Sequence, residues 1–173
     1  MFQVGNYSPQ LIKPTIYLDT SVINFLFADD APEKKEITID FFDNFVKMGI
    51  YETSISEYVI DEIQQDPNEK EKERLLKVVE DYQIFIHPVS DMKEIAELAR
   101  HYLTTGVIPT RKLFDALHVA FCTIRKIDYL VSWNFKHLAN INRERRIILS
   151  NLTIGYIHPL RIITPSELTG YGN

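Results

Sequence analysis

Cysteine is nearly absent. Cys122 stands alone in 173 residues, which excludes an intrachain disulfide framework and a cysteine-based zinc centre and suits a reducing compartment. Glycine is scarce: Gly5, Gly49, Gly106, Gly155, Gly170 and Gly172 form neither a dinucleotide fingerprint nor a phosphate-cradling loop. The five histidines, His87, His101, His118, His137 and His158, show no paired metal spacing, and neither His-Glu-x-x-His nor Gly-x-Ser-x-Gly occurs. Asp19-Thr20-Ser21 lacks the glycine of an aspartic protease and the second acid, two residues on, of an aspartate-based phosphatase. No apolar run approaches the roughly 20 residues of a membrane span. Met1 to Pro14 has no basic start followed by an apolar stretch, so no secretory leader or membrane partner is expected, and a cytoplasmic location is. An excess of positive charge is also missing. At a formal charge of −5 there is no whole-molecule footprint for nucleic acid, and any such contact rests on a local basic patch.

What remains is ordinary globular composition, 45% hydrophobic and 25% charged. It fits one domain over 1–173, with 1–14 an irregular lead-in and 169–173 a tail. A domain of this length buries roughly 70% of its unfolded surface and needs no staple to fold.

Short apolar runs alternate with amphipathic stretches. Thr15 to Leu18, Ile50 to Thr53, Gln83 to Ile86, Tyr129 to Val131 and Arg161 to Ile163 read as strands. Helices are expected over Val22 to Phe27, Glu36 to Met48, Glu69 to Glu80, Ser90 to Leu103, Arg111 to Arg125 and about Asn140 to Arg146. Asp29 to Lys34 reads as a loop. Ser54-Ile55-Ser56-Glu57 has the form of a capping box opening another helix, to Gln64. The alternation predicts a three-layer α/β/α sandwich with a central, mostly parallel sheet of four to five strands. In such folds the chemistry lies beyond the C-terminal strand ends.

Five residues carry candidate chemistry. Asp19 directly follows the first strand, as a helix N-cap or as a functional carboxylate. Glu62 falls near the middle of an apolar stripe of Ile55, Tyr58, Val59 and Ile63, whereas Glu57 and Asp61 fall outside it. An inward carboxylate costs several kcal/mol unless paired or bound to a metal, so Glu62 is either a buried ion pair or a ligand. Asp115 shares its helix face with Arg111, His118, Val119 and Cys122, while Phe114, Leu117, Phe121 and Ile124 point the other way. Periodicity does not bury Asp115, and a solvated acid favoured by the helix dipole is its alternative role. Ser132 and Asn134 follow the fourth strand and offer oxygen ligands, or form a turn with Asn134 left-handed. Three carboxylates at one sheet edge with no evident basic partner call for a cation. Hard oxygen donors select Mg²⁺ or Mn²⁺, and such ions work mostly on phosphates.

These residues also stand in a familiar order. Ile16-Tyr17-Leu18-Asp19-Thr20-Ser21-Val22-Ile23, Ser56-Glu57-Tyr58-Val59-Ile60-Asp61-Glu62-Ile63, Phe114-Asp115-Ala116-Leu117-His118-Val119-Ala120 and Tyr129-Leu130-Val131-Ser132-Trp133-Asn134 resemble the four motifs of PIN-domain nucleases. Ile163-Thr164-Pro165-Ser166-Glu167-Leu168 resembles their usual close, so the likeness runs from about residue 15 to 168. The resemblance implies metal-dependent endoribonuclease activity, with Asp19, Glu62 and Asp115 as metal-binding acids and Asn134 at a fourth catalytic position. Thr20 and Ser132 would support the site. It further implies the toxin of a toxin–antitoxin pair: a homodimer silenced by a small antitoxin, acting on RNA. One departure is Asn134, where the family often has an acid; an amide oxygen can coordinate but brings no charge. The alternative is a catalytically weakened module on the same fold that binds RNA or a protein without cutting. Lys136, His137, Arg143, Arg145 and Arg146 follow closely and form either a phosphate-binding patch or a solvated face. Trp133 and Phe135 are read as core or as a dimer surface, with stacking on a base as the alternative, Phe25, Phe27, Phe41 and Phe42 as core or as an interface, His118 as packing or support, and Cys122 as a small apolar residue.

Overall fold

A computed structural model describes residues 13–90, 92–134 and 138–170. The expected lead-in up to residue 12, Phe135, Lys136, His137 and the expected tail from residue 171 lie outside the described residues.

Strand β1 (Thr15–Leu18) is β-branched and aromatic, and all but its first residue is buried. It runs into α1 (Thr20–Asn24), which a 3₁₀ turn, Phe25–Phe27, continues. Helix α2 (Pro32–Phe41) begins four residues earlier than the pattern predicts, because Pro32 takes a first-turn position where its missing N–H costs nothing. The following turn, Phe42–Val46, is π-helical, with Lys47 N donating to Phe42 O at 2.9 Å. Around it the adjacent Phe41 and Phe42 are both fully buried. Gly49 then turns the chain at φ +61°.

Strand β2 spans Glu52–Ser56 and α3 spans Glu57–Gln64. The expected capping box at Ser54 is not formed. Parallel pairing of Tyr17 with Ser54, and of Ser54 with Phe85, draws Ser54 into the sheet. Glu57 Oε2 instead accepts from Val89 N at 2.8 Å. A Ser-x-x-Glu spacing is local information, and the non-local ladder overrides it here. Helix α4 (Glu69–Asp81) is capped by Asn68, and β3 (Phe85–His87) and α5 (Met92–Thr104) follow. Helix α6 (Leu113–Ile124) leads to β4 (Tyr129–Val131), which lies where the sequence predicts it. Helix α7 (Ile141–Thr153) runs a further two turns past Arg146. Buried Ile147 and Asn151 hold that extension. Asn151 Oδ1 accepts from Tyr102 Oη at 2.5 Å, and its Nδ2 donates to Thr123 Oγ1 at 3.2 Å.

Strand β5 (Arg161–Ile163) closes the sheet as expected, and α8 (Pro165–Thr169) follows it. Here a capping box does form. Thr164 N donates to Glu167 Oε2 at 2.8 Å, Pro165 occupies the first turn, and Gly170 ends the helix at φ +82°. Thr164→Ala is expected to cost about 1 kcal/mol, read as a fall of roughly 2–4 °C in melting temperature.

The sheet has five parallel strands in the order β3-β2-β1-β4-β5. This is the expected α/β/α architecture, all parallel and at the upper end of the expected strand number. The topology positions the site. From β1 the chain winds outward through β2 to β3, then returns to pair β4 with the other side of β1. The reversal leaves a crevice past the C-terminal ends of β1 and β4, where open parallel sheets bind ligands. Asp19 N donates to Val131 O at 3.1 Å across that junction. No helix among the described residues is long and apolar enough to cross a membrane. Phe41, Phe42, Trp133 and Cys122 lie in the core, whereas Phe25 and Phe27 pack half-buried against it.

Candidate active site

Asp19 ends β1 and does two things. Its Oδ1 accepts from Ser21 N at 3.0 Å and from Ser21 Oγ at 2.5 Å, which caps α1. It is also 4% exposed and lines a small cavity at the crevice. The cap role left open by the sequence is therefore filled, and the same side chain faces the cavity. Burial raises its pKa, and nearby Glu62 adds to the rise; His118 and hydrogen bonds from Ser132 and Ser21 oppose it.

Glu62 projects from α3 into the same cavity. Its partner is not the Lys or Arg expected of a buried ion pair. Thr20 Oγ1 donates to Glu62 Oε2, and His118 Nε2 stands 3.2 Å from the same oxygen. Burial pushes the Glu62 pKa up, but His118, Thr20 and the charge of Lys112 outweigh it and leave the pKa below its ordinary value. Glu62 is thus the acid of the site most firmly held as an anion.

Asp115 sits in the first turn of α6, which begins at Leu113 rather than at the expected Arg111. It is half-buried in the cavity rather than solvated. Periodicity misplaces it because α6 is covered nearly all round: Ala116 and every residue from His118 to Thr123 are buried, so no clean polar face exists to read. Asn134 Nδ2 approaches Asp115 Oδ2 at 3.1 Å and Oδ1 at 3.3 Å. Asn134 is not left-handed. Its backbone N donates to Ser132 Oγ at 2.9 Å, and buried Ser132 is anchored through its own N to Ile163 O at 2.9 Å. Burial raises the Asp115 pKa to about 6. The charges of Asp19 and Glu62 push the same way, and Lys112 and His118 oppose them.

The cavity measures about 160 Å³ and is lined by Asp19, Thr20, Ser21, Asn24, Glu62, Lys112, Asp115, His118 and Asn134. A second cavity of about 320 Å³ shares Thr20, Asn24 and Glu62 with it and continues past Gln65, Asp66 and Phe114. Three acids drawn from three separate segments thus meet Asn134, as the motif spacing predicts. Larger hollows exist elsewhere, such as the apolar groove between α4 and β3, but each has a single acid in its wall, Glu80 in that groove and Asp128 and Glu94 in two others.

No family model matches the chain, and no curated protein does either. The site therefore rests on its own geometry. Its donors are hard carboxylate and amide oxygens, which suit Mg²⁺ or Mn²⁺. The cavity has room for an ion with several waters, at about 30 Å³ per water. Among the described residues, however, no three His, Cys, Asp or Glu side chains stand together as a ready metal group. Hydrogen bonds from Thr20, His118 and Asn134 hold the carboxylates as they are. The donor chemistry fits; a preformed cage is not there.

The basic residues after Asn134 divide. Arg143 donates to Val107 O, and Arg146 Nη2 donates to Gly106 O at 2.8 Å, so both tie α7 to the loop before α6. Arg145 is exposed. Arg143 is close enough to Asp115 for the two charges to interact. Sequence reasoning missed Lys112 as a cavity residue. The signal was available, since Lys112 precedes Asp115 by three residues in the expected helix; the structure places it at the N-cap of α6. Buried Tyr17, whose Oη lies 2.8 Å from His118 Nδ1, had no sequence signal, because its side-chain hydrogen bonds go to residues far along the chain.

Proposed function

We propose that the chain is a metal-dependent endoribonuclease that hydrolyses RNA phosphodiester bonds, and that it acts as the toxin of a toxin–antitoxin pair. The observation that supports this is the meeting of Asp19, Glu62 and Asp115 with Asn134 in one polar cavity at the switch point of a parallel sheet. The toxin role, the small antitoxin and the homodimer rest on the PIN resemblance of the four motifs.

Asp19, Glu62 and Asp115 would hold Mg²⁺ or Mn²⁺, and a bound ion of this kind polarises a phosphoryl oxygen. The chain supplies the rest. Ser21 and Ser132 hold Asp19. Asn134 orients Asp115 by its amide. Lys112 brings a positive charge to the cavity wall and suits a phosphate oxygen. The adjoining hollow lined by Asn24, Gln65 and Phe114 gives the flanking nucleotide a place to lie. Holding the phosphate in line with the attacking water is the main work asked of this geometry.

Lys112→Ala separates metal from RNA. RNA affinity, measured by anisotropy on an Asp19→Asn background, is expected to fall about 3- to 10-fold, with the salt slope reduced by about one. Mn²⁺ affinity measured calorimetrically in otherwise wild-type protein is expected to hold or rise, because a competing cation is gone. A fall in Mn²⁺ affinity would mean that Lys112 shapes the acid cluster instead.

The second reading is a PIN-like module that binds RNA or a protein without cutting. It is favoured by the Asn134 amide turned onto Asp115 and by the lack of a ready metal group among the described residues. Titration of wild-type protein with Mn²⁺ tests the proposal against it. Binding in the micromolar to millimolar range supports the nuclease. No binding at millimolar Mn²⁺ supports the module.

A further inference from the structure

A buried chain of hydrogen bonds runs from the sheet to Glu62. Tyr17 Oη lies 2.7 Å from Ser56 Oγ and 2.8 Å from His118 Nδ1, and His118 Nε2 lies 3.2 Å from Glu62 Oε2. Ser56 and Tyr17 are fully buried and His118 is 2% exposed. Their sources are β2, β1 and α6, and the chain ends on a residue of α3.

The chemistry of the atoms sets a direction. A carboxylate only accepts, so His118 Nε2 is the donor to Glu62. In the neutral ring this makes Nδ1 an acceptor, filled by the Tyr17 hydroxyl, and Tyr17 Oη in turn accepts from Ser56. The Tyr17 ring also packs against the imidazole with centroids 5.6 Å apart, which limits its rotation. If His118 served only to fill the core, an apolar side chain would do so without the cost of burying a polar ring.

We infer that His118, held in one tautomer and one orientation by Tyr17 and Ser56, is a positioning residue that fixes the Glu62 carboxylate for metal binding. Together with Thr20 it occupies Oε2, and among the described residues Oε1 accepts no hydrogen bond and is left as the free ligand oxygen. The inference rests on the metal-dependent reading of the site. Hydrogen-bonding partners behind ligating groups typically govern metal affinity by about 10- to 100-fold.

Isosteres test this. A Gln amide nitrogen reaches about as far as His Nε2, whereas an Asn amide nitrogen falls near the Nδ1 position. Calorimetric titration with Mn²⁺ is expected to show His118→Gln within about 3-fold of wild type and His118→Asn and His118→Ala weaker by about 10- to 100-fold, with all three folded by circular dichroism. Equal affinity in all the variants, or equal loss in Gln and Asn, overturns the inference, because a packing role does not distinguish the two amides by reach. A second measurement needs no metal. Long-range ¹H–¹⁵N spectra of the metal-free protein, recorded at a pH where the imidazole is neutral, are expected to show His118 as the Nε2–H tautomer, and Tyr17→Phe to mix the tautomers. An Nδ1–H ring in the wild type overturns the inference. If wild-type protein binds no Mn²⁺, the nuclease reading and the metal-binding purpose assigned to His118 both fall; Mn²⁺ binding in the wild type with His118 in the wrong tautomer defeats the positioning role alone.

Discussion

Asp19→Asn is expected to lower RNA cleavage by about 1000-fold or more and to leave the fold intact. The substitution isolates charge from structure. Asp19 caps α1 through Oδ1, and Asn caps about as well as Asp, so the bonds from Ser21 have a carbonyl oxygen to go to. What is lost is one anionic oxygen in a nearly dry position, which the proposed function makes a metal ligand. A 1000-fold loss corresponds to about 4 kcal/mol of transition-state stabilisation, within the several kcal/mol that metal-based charge stabilisation supplies. The check is single-turnover cleavage beside a melting curve. Full activity in a folded variant would remove Asp19 from the site.

Asp115→Asn is expected to stabilise the metal-free protein at neutral pH while removing activity. The folded Asp115 carboxyl has its pKa raised from 3.8 to about 6, mainly by burial. Between these two values the folded state keeps a proton that the unfolded chain has already released. Stability therefore falls as pH rises through this window, and the penalty is full above about pH 6 and absent below about pH 4. A rise of this size is worth up to about 3 kcal/mol, and the residual solvent access of a half-buried group reduces it to about 2. Asn is isosteric, carries no charge and escapes the penalty. In EDTA at pH 7.5 the variant is expected to melt roughly 4–8 °C above wild type, with the difference closing towards pH 4. A variant that melts lower at pH 7.5 would mean that the carboxylate is satisfied without an ion. On the proposed metal-dependent reading, the gain in the absence of metal and the loss of activity have one cause: acids gathered for a cation destabilise the protein while it is absent.

The sheet was legible because its strands are short, apolar and bounded by turn residues. Tyr129–Val131 and Arg161–Ile163 lie where the pattern predicts. The positions of Asp19 and Asn134 followed from the rule that strand ends meet at one edge. Other features depend on contacts that no local pattern encodes. The box at Ser54 yielded to strand pairing, and the one that forms, at Thr164 and Glu167, sits on a helix too short for periodicity to reveal. The extension of α7 hangs on Asn151, a polar residue buried by its bonds to Tyr102 and Thr123. Asp115 was obscure because its helix has buried residues on almost every face. The basic partners of the acids, Lys112 and His118, were visible as residues but not as partners, since their meeting with Glu62 depends on how α6 packs beside α3.

The central claim is that this acidic cavity cuts RNA with the help of a divalent ion. The most direct measurement is cleavage of end-labelled single-stranded and structured RNAs by purified protein in Mg²⁺, Mn²⁺ or EDTA, with Asp19→Asn run in parallel. Cutting in Mn²⁺ or Mg²⁺ that stops in EDTA and is lost in the variant is the result expected. Cutting that persists in EDTA or is equal in the variant, or the absence of cutting by a wild type that also binds no Mn²⁺, would contradict it.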